Sequence, residues 1–414
     1  MRVERLSDLA QPMTERDGFE EPWPSDTFAA ALARLPVDDL LAVAHGASAA
    51  RVDRALGTEP LDRTLEDHAA LLSPAAGERL EDLARASRRL TLSRFGRTMH
   101  LYAPVYLSNE CLTTCGYCGF ARTLPVVRKT LGEAEALREV HHLLGQGFRS
   151  LLLLTGEHER LTGVEFLERH IRVLSAVVPS ISIEVQVWGQ AEYRRLREAG
   201  CEGVVIYQET YDPGRYIEVH LAGRKRDYRW RVLGPERAAR AGMRRVGIGA
   251  LLGLHDDWRF EAICVAAHAR FLMRRHWRSQ ITVSVPRIRP SASGFQPRVE
   301  VSDRDLTQLV AALRLSLPDA GLVLSTRESP DVRDGLHRIG ITHTSAGSHT
   351  EPGGYEEPGG AEEQFEIADH RSPAEVAASL RAMGYDPVWE DPSLVPGVAR
   401  GLARREQVGA ERPA

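Results

Sequence analysis

The chain has almost no lysine, few cysteines and no long apolar run, and these shortages exclude several classes of protein. Only Lys129 and Lys225 are lysines among 53 basic residues, which we interpret as a GC-rich coding bias rather than a functional signal. A net charge of −4 without a concentrated basic stripe argues against a nucleic-acid-binding protein. No apolar run approaches the ~20 residues of a membrane span, and residues 1–6 contain no apolar signal core. We therefore predict a cytoplasmic protein that contacts no membrane.

Three of the five cysteines are clustered. Cys111, Cys115 and Cys118 form a C-x3-C-x2-C array within eight residues. Three thiolates would bind three irons of a cubane [4Fe–4S] cluster and leave the fourth iron open to a non-protein ligand. The odd total argues against a disulfide framework. Cys201 and Cys264 stand alone in apolar surroundings, and we expect them to be buried as small hydrophobic residues.

A structural zinc site is the alternative for the same array. His141 or His142 would supply the fourth ligand, and the chain would then be a zinc-stabilised scaffold without catalysis. This alternative fits less well, because structural zinc sites usually combine C-x2–4-C pairs that lie far apart in sequence.

Hydrophobic periodicity predicts a barrel preceded by helices. Residues 26–96 carry three or four helical patterns, and from about residue 100 short apolar runs alternate with amphipathic helices. This alternation is typical of a (βα)8 TIM-type barrel. We predict an N-terminal helical extension over 1–95, the barrel over 96–350, and a C-terminal loop, helix and frayed tail over 351–414. The predicted strands are 103–108, 150–155, 181–186, 203–208, 245–252, 281–286, 322–326 and 341–345.

Polar residues follow nearly every predicted strand, where the functional residues of such a barrel gather. In strand order they are Glu157, Glu184, Gln208 with Tyr211, Gly249, Arg287 with Arg289, Arg327 and Ser345. Each has a structural alternative: Glu157 could cap a helix, Glu184 could pair with a neighbouring arginine, and the glycines around 249 could serve packing. The arginines could pair with nearby carboxylates, as Arg327 could with Glu328.

Seven segments together resemble one family. In order they are 101–120, 153–158, 207–211, 247–254, 284–290, 325–330 and 352–355. They are similar to the radical S-adenosylmethionine (SAM) aromatic amino acid lyases, over roughly residues 95–390. Within that family the chain most resembles the 2-iminoacetate synthases, the tyrosine lyases of thiamine thiazole biosynthesis. The Cys-Gly-Phe sequence at 118–120 and the Tyr-Gln-Glu-Thr-Tyr sequence at 207–211 carry this closer likeness.

The resemblance implies a [4Fe–4S] cluster on the three cysteines and SAM as the second cofactor. It implies that Glu157 meets the amino end of SAM, that Gln208 and Tyr211 lie near its ribose or methionine moiety, and that the amino acid is held by Tyr106, Arg327 and Ser345. From their strand ends we add Glu184, Gly249, Arg287 and Arg289 to the predicted cofactor site.

The implied reaction cleaves the Cα–Cβ bond of L-tyrosine to 2-iminoacetate and p-cresol. A flavodoxin or ferredoxin would supply the electron, and a thiazole synthase would take the product. Tryptophan or another amino acid remains an alternative substrate. The hydrogenase-maturation member of the family carries a second cysteine triad near its C-terminus, which this chain lacks because no cysteine follows Cys264. The loop 351–371 is a candidate lid.

Overall fold

A ring of eight parallel strands forms the centre of the molecule. The computed structural model describes residues 4–10 and 26–390; the predicted frayed tail lies outside these residues. The strands β1 to β8 pair in sequence order, and β1 closes the ring by pairing with both β2 and β8. The predicted (βα)8 barrel is therefore confirmed. The strands are β1 Thr98–Ser108, β2 Ser150–Thr155, β3 Ser180–Glu184, β4 Gly203–Glu209, β5 Arg245–Ala250, β6 Gln280–Ser284, β7 Gly321–Leu324 and β8 His343–Ser345.

A ninth strand, which the apolar pattern does not predict, pairs with the N-terminal end of β1. This strand, β9 (Asp386–Val388), pairs in parallel with Thr98–His100, the part of β1 that precedes its pairing with β2. β1 itself begins five residues before the predicted start at 103. Trp389 follows β9 and packs edge-on against Phe148 at 5.0 Å, so the chain after the barrel returns to the N-terminal end of β1.

Helices surround the ring and connect its strands. Those between β1 and β8 are α7 Glu133–Gly145, α8 Val164–Leu174, α9 Gln190–Glu198, α10 Pro213–Val219, α11 Tyr228–Val232, α12 Gly234–Arg240, α13 Trp258–Arg275, α14 Asp303–Ser316 and α15 Pro330–His337; α16 Pro373–Ala382 follows β8. In α8 the buried residues Phe166, Leu167 and Ile171 recur at helical spacing and face the barrel. None of the helices in the described residues combines the length and apolarity of a membrane span.

The N-terminal helices pack onto the barrel and share its core. Six helices lie among residues 26–95, more than the three or four that the pattern predicts: α1 Phe28–Ala33, α2 Val37–Gly46, α3 Ala49–Gly57, α4 Leu65–Leu71, α5 Pro74–Glu78 and α6 Leu80–Phe95. Phe28 of α1 stacks on His268 of α13 at 3.8 Å. His68 of α4 contacts the Ser316 hydroxyl of α14 at 2.9 Å. These helices therefore cover the outside of α13 and α14, away from the loops that follow the strands.

Candidate active site

The cysteine array lies in the loop that follows β1, and its thiols converge. The Thr113 hydroxyl lies 3.0 Å from the Cys111 sulfur and 3.5 Å from the Cys115 sulfur. The backbone N–H of Phe120 donates to the Cys118 sulfur at 3.4 Å. All three cysteines are free and line one cleft. N–H···S hydrogen bonds of this kind stabilise the thiolate form that a metal cluster requires.

A glycine at the end of β2 lets the cysteine loop lie against that strand. A Cβ atom at Gly156 would lie 2.2 Å from the carbonyl oxygen of Glu110, so a larger residue would displace the loop. The next backbone N–H, of Glu157, donates to the Cys111 sulfur at 3.4 Å. The backbone that follows β2 therefore holds the Cys111 thiol in place.

The donor set fits a cluster better than a single ion. Burial raises the pKa of Cys115 to about 12 and that of Cys118 to about 11, so a bound cationic centre is needed to hold these sulfurs as thiolates. No group of His, Cys, Asp or Glu side chains in residues 4–10 and 26–390 is arranged to chelate one metal ion. The thiolates of a four-iron cubane bind separate irons and need no common atom. The three cysteines therefore fit a [4Fe–4S] cluster.

The two histidines of the zinc alternative lie elsewhere. His141 and His142 are on the exposed face of α7. The His142 ring contacts the Gln146 side chain at 2.9 Å and Glu356 at 3.8 Å. Their position on the outer surface of the barrel leaves the cysteine loop without a nearby histidine ligand from α7.

A cleft opens to solvent at the C-terminal ends of the strands, where the functional residues of such barrels gather. Its walls combine the cysteine loop with residues from most of the strand ends: Tyr106, Cys111, Thr113, Cys115, Tyr117, Cys118, Phe120, Leu154, Thr155, Gly156, Glu157, Glu184, Val185, Tyr207, Glu209, Lys225, Arg231, Leu251, Pro286, Ile288, Arg289, Arg327, Gln364 and Phe365.

Four charged side chains form a network along one wall. Arg231 Nη1 lies 3.1 Å from Glu157 Oε1, and Arg231 Nη2 lies 3.8 Å from Glu209 Oε1. Lys225 Nζ donates to the same Glu209 oxygen at 2.7 Å. Burial disfavours the charged form of Glu209, but Lys225 and Arg231 outweigh it and lower the pKa of Glu209. The wall therefore presents fixed charges of both signs, which suits a zwitterionic ligand with a cationic sulfur.

Glu184 differs from Glu209 although both face the cleft. Burial, reinforced by the charge of Glu209, raises the pKa of Glu184 to about 7. No hydrogen bond or ion pair is formed by its side chain within the described part of the chain. It also borders the barrel interior beneath the cleft, so Glu184 marks the inner end of the site.

Two arginines on the opposite wall have hydrogen-bond donors without partners in the described residues. The Nε of Arg289 has no hydrogen-bond partner among the described residues. The Arg327 guanidinium, which likewise makes no hydrogen bond there, lies 3.4 Å over the ring of Phe365. Glu328, its neighbour in sequence, instead pairs with Arg287. Since Arg is the preferred bidentate partner of a carboxylate, Arg327 is placed to receive one, and the Tyr106 hydroxyl lines the same cleft.

Two predicted cofactor residues, one on β4 and one just after it, do not line the cleft. Tyr207 and Glu209 line the cleft, whereas Gln208, which is 2% exposed, is absent from its lining, and neither polar atom of its carboxamide has a hydrogen-bond partner among the described residues. Tyr211 is fully buried, and its hydroxyl contacts His268 Nδ1 of α13 at 2.8 Å. The inward-facing acid of this segment is Glu209, which has φ of 70° at a register shift between β4 and β5.

Three further predicted residues also lie outside the cleft lining. Arg287 donates from Nε to both Glu328 oxygens at 3.1 Å, so it pairs with a nearby carboxylate, as the alternative interpretation of the arginines predicts. Gly249 provides space, because a Cβ there would lie 2.0 Å from the Ser284 carbonyl oxygen and 2.7 Å from the Tyr207 ring. Ser345 is 2% exposed and lies in register with Tyr102 on β1. Arg287 and Gly249 thus support neighbours of the cleft, and none of the three residues lines its surface.

The cleft residues absent from the predicted set include five that carry its charges or cross it: Glu209, Lys225, Arg231, Gln364 and Phe365. Two of them left a signal in the sequence. Strand alternation places Glu209 on the same face as Tyr207, and Lys225 is one of two lysines in an arginine-rich chain. The other three lie outside any strand end, and no local pattern identifies them.

Comparison with known proteins agrees with the geometry of the cleft. The Radical SAM superfamily profile matches residues 105–265, and that of the Biotin and Thiamin Synthesis associated domain matches residues 284–386. The chain is 44% identical to 2-iminoacetate synthase of Escherichia coli K12 over 365 residues, which are 88% of this chain and 96% of that protein. The chain belongs to the 2-iminoacetate synthase family.

The relationship holds for further members and for solved structures. The 2-iminoacetate synthase of Salmonella typhimurium LT2 is 42% identical over 88% of this chain and 96% of its own length. The crystal structure of HydG, a maturase of the [FeFe]-hydrogenase, superimposes with a TM-score of 0.80 at 30% identity, over 90% of this chain and 84% of that one. The predicted family and barrel type are thus confirmed; the cysteines lie within the Radical SAM match, which implies SAM and an iron–sulfur cluster.

Proposed function

We propose that this chain is a 2-iminoacetate synthase, a carbon–carbon lyase that cleaves L-tyrosine into 2-iminoacetate and p-cresol. The observation that carries the proposal is one cleft shared by the three clustered cysteines and by Arg327 and Tyr106. The 44% identity to a named 2-iminoacetate synthase over 88% of the chain supports the same reaction.

We assign the [4Fe–4S] cluster to Cys111, Cys115 and Cys118, and SAM to the adjoining space between Glu157 on one wall and Arg289 on the opposite wall. When bound and reduced by one electron, the cluster with SAM supplies a 5′-deoxyadenosyl radical as the hydrogen-abstracting reagent. The network of Glu157, Arg231, Glu209 and Lys225 fixes charge around the amino, carboxylate and sulfonium groups of SAM before the reaction begins. Such preorganised charges cost no rearrangement at the moment of reaction.

The opposite wall orients the amino acid. Arg327 binds the α-carboxylate with its guanidinium fork, and the Tyr106 hydroxyl lies beside the α-amino group. Holding the amino nitrogen in one orientation directs hydrogen abstraction to that atom rather than to Cβ. Loss of a hydrogen atom from nitrogen lets the Cα–Cβ bond break, which yields 2-iminoacetate and a 4-hydroxybenzyl radical. That fragment takes up one electron and one proton to become p-cresol.

The electron requirement and the domain match suggest the partners. Both electrons, one for SAM cleavage and one for the benzyl fragment, would come from a reduced flavodoxin or ferredoxin. The match to a domain named for biotin and thiamin synthesis favours a thiazole synthase as the recipient of 2-iminoacetate. Both partners, and the proposed location in the cytoplasm, fit an oxygen-sensitive cluster.

Product analysis after anaerobic cluster reconstitution tests the proposal. With SAM, dithionite and L-tyrosine we expect p-cresol, 5′-deoxyadenosine and glyoxylate, the hydrolysis product of 2-iminoacetate. A parallel reaction with L-tryptophan should yield no cleavage product that contains the indole ring, even if 5′-deoxyadenosine is formed. Cleavage of tryptophan and not tyrosine would transfer the function to the alternative substrate. Tightly bound zinc with no iron uptake would contradict catalysis altogether.

A further inference from the structure

A segment of the loop after β8 crosses the cleft and is attached to the cysteine loop. The backbone N–H of Gly119 donates to the carbonyl oxygen of Gln364 at 3.1 Å. The Asn109 side chain donates to the carbonyl oxygen of Glu362 at 3.4 Å. We call residues 362–365 the crossing segment. Its backbone thus lies against residues on both sides of the three cysteines.

Glycine at position 119 is what permits this approach. A Cβ at Gly119 would lie 2.5 Å from the Glu363 carbonyl oxygen and 2.8 Å from that of Gln364. Both atoms are backbone and cannot rotate away. The glycine between Cys118 and Phe120 is therefore required by the crossing segment and not by the cysteine loop alone.

The side chain of Gln364 lies between a cluster ligand and a substrate residue. Its Oε1 accepts a hydrogen bond from the Tyr106 hydroxyl at 2.7 Å, and its Nε2 lies 3.9 Å from the Cys118 sulfur. A thiolate has no proton to donate, so only the NH2 side of the carboxamide can face it favourably. This fixes the orientation that leaves Oε1 to Tyr106.

We propose that Gln364 is a positioning residue that couples the cluster to the substrate site through one carboxamide. Its N–H points to the Cys118 thiolate, and its oxygen fixes the Tyr106 hydroxyl beside the amino acid. The substrate half of this inference rests on the proposed tyrosine lyase activity; the cluster half does not.

Two separable effects follow from the two contacts. A hydrogen bond to a ligand sulfur stabilises the reduced, more negative cluster, so its loss should make the cluster harder to reduce. Loss of the Tyr106 hydroxyl that Gln364 orients should raise the KM for tyrosine while the potential of the cluster stays constant. One neutral hydrogen bond corresponds to a change of about 3- to 10-fold in KM.

Paired variants separate the effects. Gln364→Glu keeps an acceptor for Tyr106 but replaces the N–H donor with an oxygen beside the Cys118 sulfur. Tyr106→Phe removes the hydroxyl and leaves the donor to sulfur in place. Glu366→Ala is the matched control, because Glu366 is exposed two residues away and its side chain makes no hydrogen bond within residues 4–10 and 26–390. The midpoint potential of the reconstituted cluster is measured by an EPR-monitored titration without tyrosine, and KM and kcat are measured separately.

We expect a more negative potential in Gln364→Glu, a raised KM at wild-type potential in Tyr106→Phe, and no change in Glu366→Ala. In the cluster-free protein, Gln364→Ala should accelerate hydrogen–deuterium exchange at the Gly119 amide, which reports the attachment even if the variant takes up no iron. A wild-type potential in Gln364→Glu, or unchanged exchange at Gly119 in Gln364→Ala, would overturn the inference. Because neither measurement needs tyrosine turnover, failure of the proposed activity would not be mistaken for failure of this coupling.

Discussion

Two networks of buried charges have nearly the same composition but different surroundings. In the cleft, Arg231 joins Glu157 and Glu209, and Lys225 completes the set. Outside it, Asp369 pairs with Arg333 and also with Arg371 at 2.7 Å; Arg371 continues to Asp334 of α15 at 3.0 Å. The first network borders a large cleft, whereas the side chains of Arg333 and Asp369 are 0% exposed.

The difference lies in what each network leaves available. Both carboxylate oxygens of Asp369 are occupied by Arg333 and by the Nε, Nη2 and backbone N–H of Arg371, so this network attaches the loop after β8 to α15. The cleft network lies opposite Arg327, whose guanidinium lines the cleft and makes no hydrogen bond within the described residues. Burial of charge therefore does not identify a functional site by itself; a guanidinium that lines the cleft and makes no hydrogen bond does.

The cysteines give the largest expected contrast between cleft and core. Cys118→Ala should abolish iron binding and 5′-deoxyadenosine formation, because two thiolates cannot hold a site-differentiated cluster. Cys201→Ser is the control: Cys201 is 1% exposed and donates to the Gly203 carbonyl oxygen, a contact that serine can reproduce. Iron content and visible absorbance after reconstitution measure both. Full iron loading of Cys118→Ala would remove Cys118 from the ligand set.

Arg333→Met should show the largest loss of stability. It leaves the Asp369 carboxylate buried with Arg371 as its remaining charged partner, and removing one member of a buried pair costs about 3–5 kcal/mol. Chemical denaturation of the cluster-free protein gives the free energy of unfolding. An unchanged value would mean that this network is as accessible to water as the cleft.

Arg231→Met should reduce SAM affinity strongly and protein stability only modestly. Glu209 keeps Lys225 as its partner and both carboxylates border the cleft, so we expect a smaller loss in the free energy of unfolding than in Arg333→Met, about 2 kcal/mol. SAM binding should weaken by about 100-fold, because Glu157 would lose its cationic partner and Lys225 alone would be left to offset both carboxylates beside the carboxylate of SAM. Equilibrium dialysis of SAM with the reconstituted protein measures the effect. Equal losses of stability in Arg231→Met and Arg333→Met would erase the distinction between the networks.

Arg327→Lys tests the open donors directly. Lysine keeps the charge but loses the planar fork, and we expect the KM for tyrosine to rise by about 10-fold with little change in SAM affinity. Arg298→Lys, at an exposed arginine that pairs with Glu218 and Asp256, should leave KM unchanged. A normal KM in Arg327→Lys would move carboxylate recognition to another residue, with Arg289 as the next to replace.

Glu184→Gln should give the smallest change in the free energy of unfolding, and this change should depend on pH. As the pH rises from 4.5 to about 7, the unfolded chain loses the Glu184 proton while the folded chain keeps it, so the folded state is progressively destabilised. Glu184→Gln removes this cost. In the cluster-free protein it should match the wild type near pH 4 and be more stable by about 1 kcal/mol at pH 8, since cleft water reduces the full penalty. A pH-independent difference would contradict the raised pKa.

The barrel could be predicted because its strands are continuous apolar runs, as Leu151–Leu154 within β2 illustrates. β9 could not, because three residues that include Pro387 carry no periodicity. In the cleft, the cysteines and Arg327 could be named from spacing and strand position. Glu209 lines the cleft and Gln208 does not, which the position of Tyr207 two residues before Glu209 could have indicated.

Other cleft residues depend on contacts between distant segments. Gln364 meets Tyr106 across 258 positions of sequence, and Arg231 meets Glu157 across 74. The segment around Gln364 is rich in Glu, Gly and Pro and has no helical or strand pattern. Only the closed ring of strands brings these residues together, so their roles follow from the fold and not from local sequence.

The most direct test of the account is the origin of the hydrogen atom that ends in 5′-deoxyadenosine. Amino protons of tyrosine exchange with solvent, whereas the hydrogens on Cβ do not. If Arg327 and Tyr106 present the amino nitrogen, reactions with unlabelled tyrosine in D2O should place one deuterium in the 5′-methyl group, as mass spectrometry would show. Unlabelled 5′-deoxyadenosine in D2O, together with deuterium transfer from Cβ-deuterated tyrosine in H2O, would contradict this orientation of the substrate.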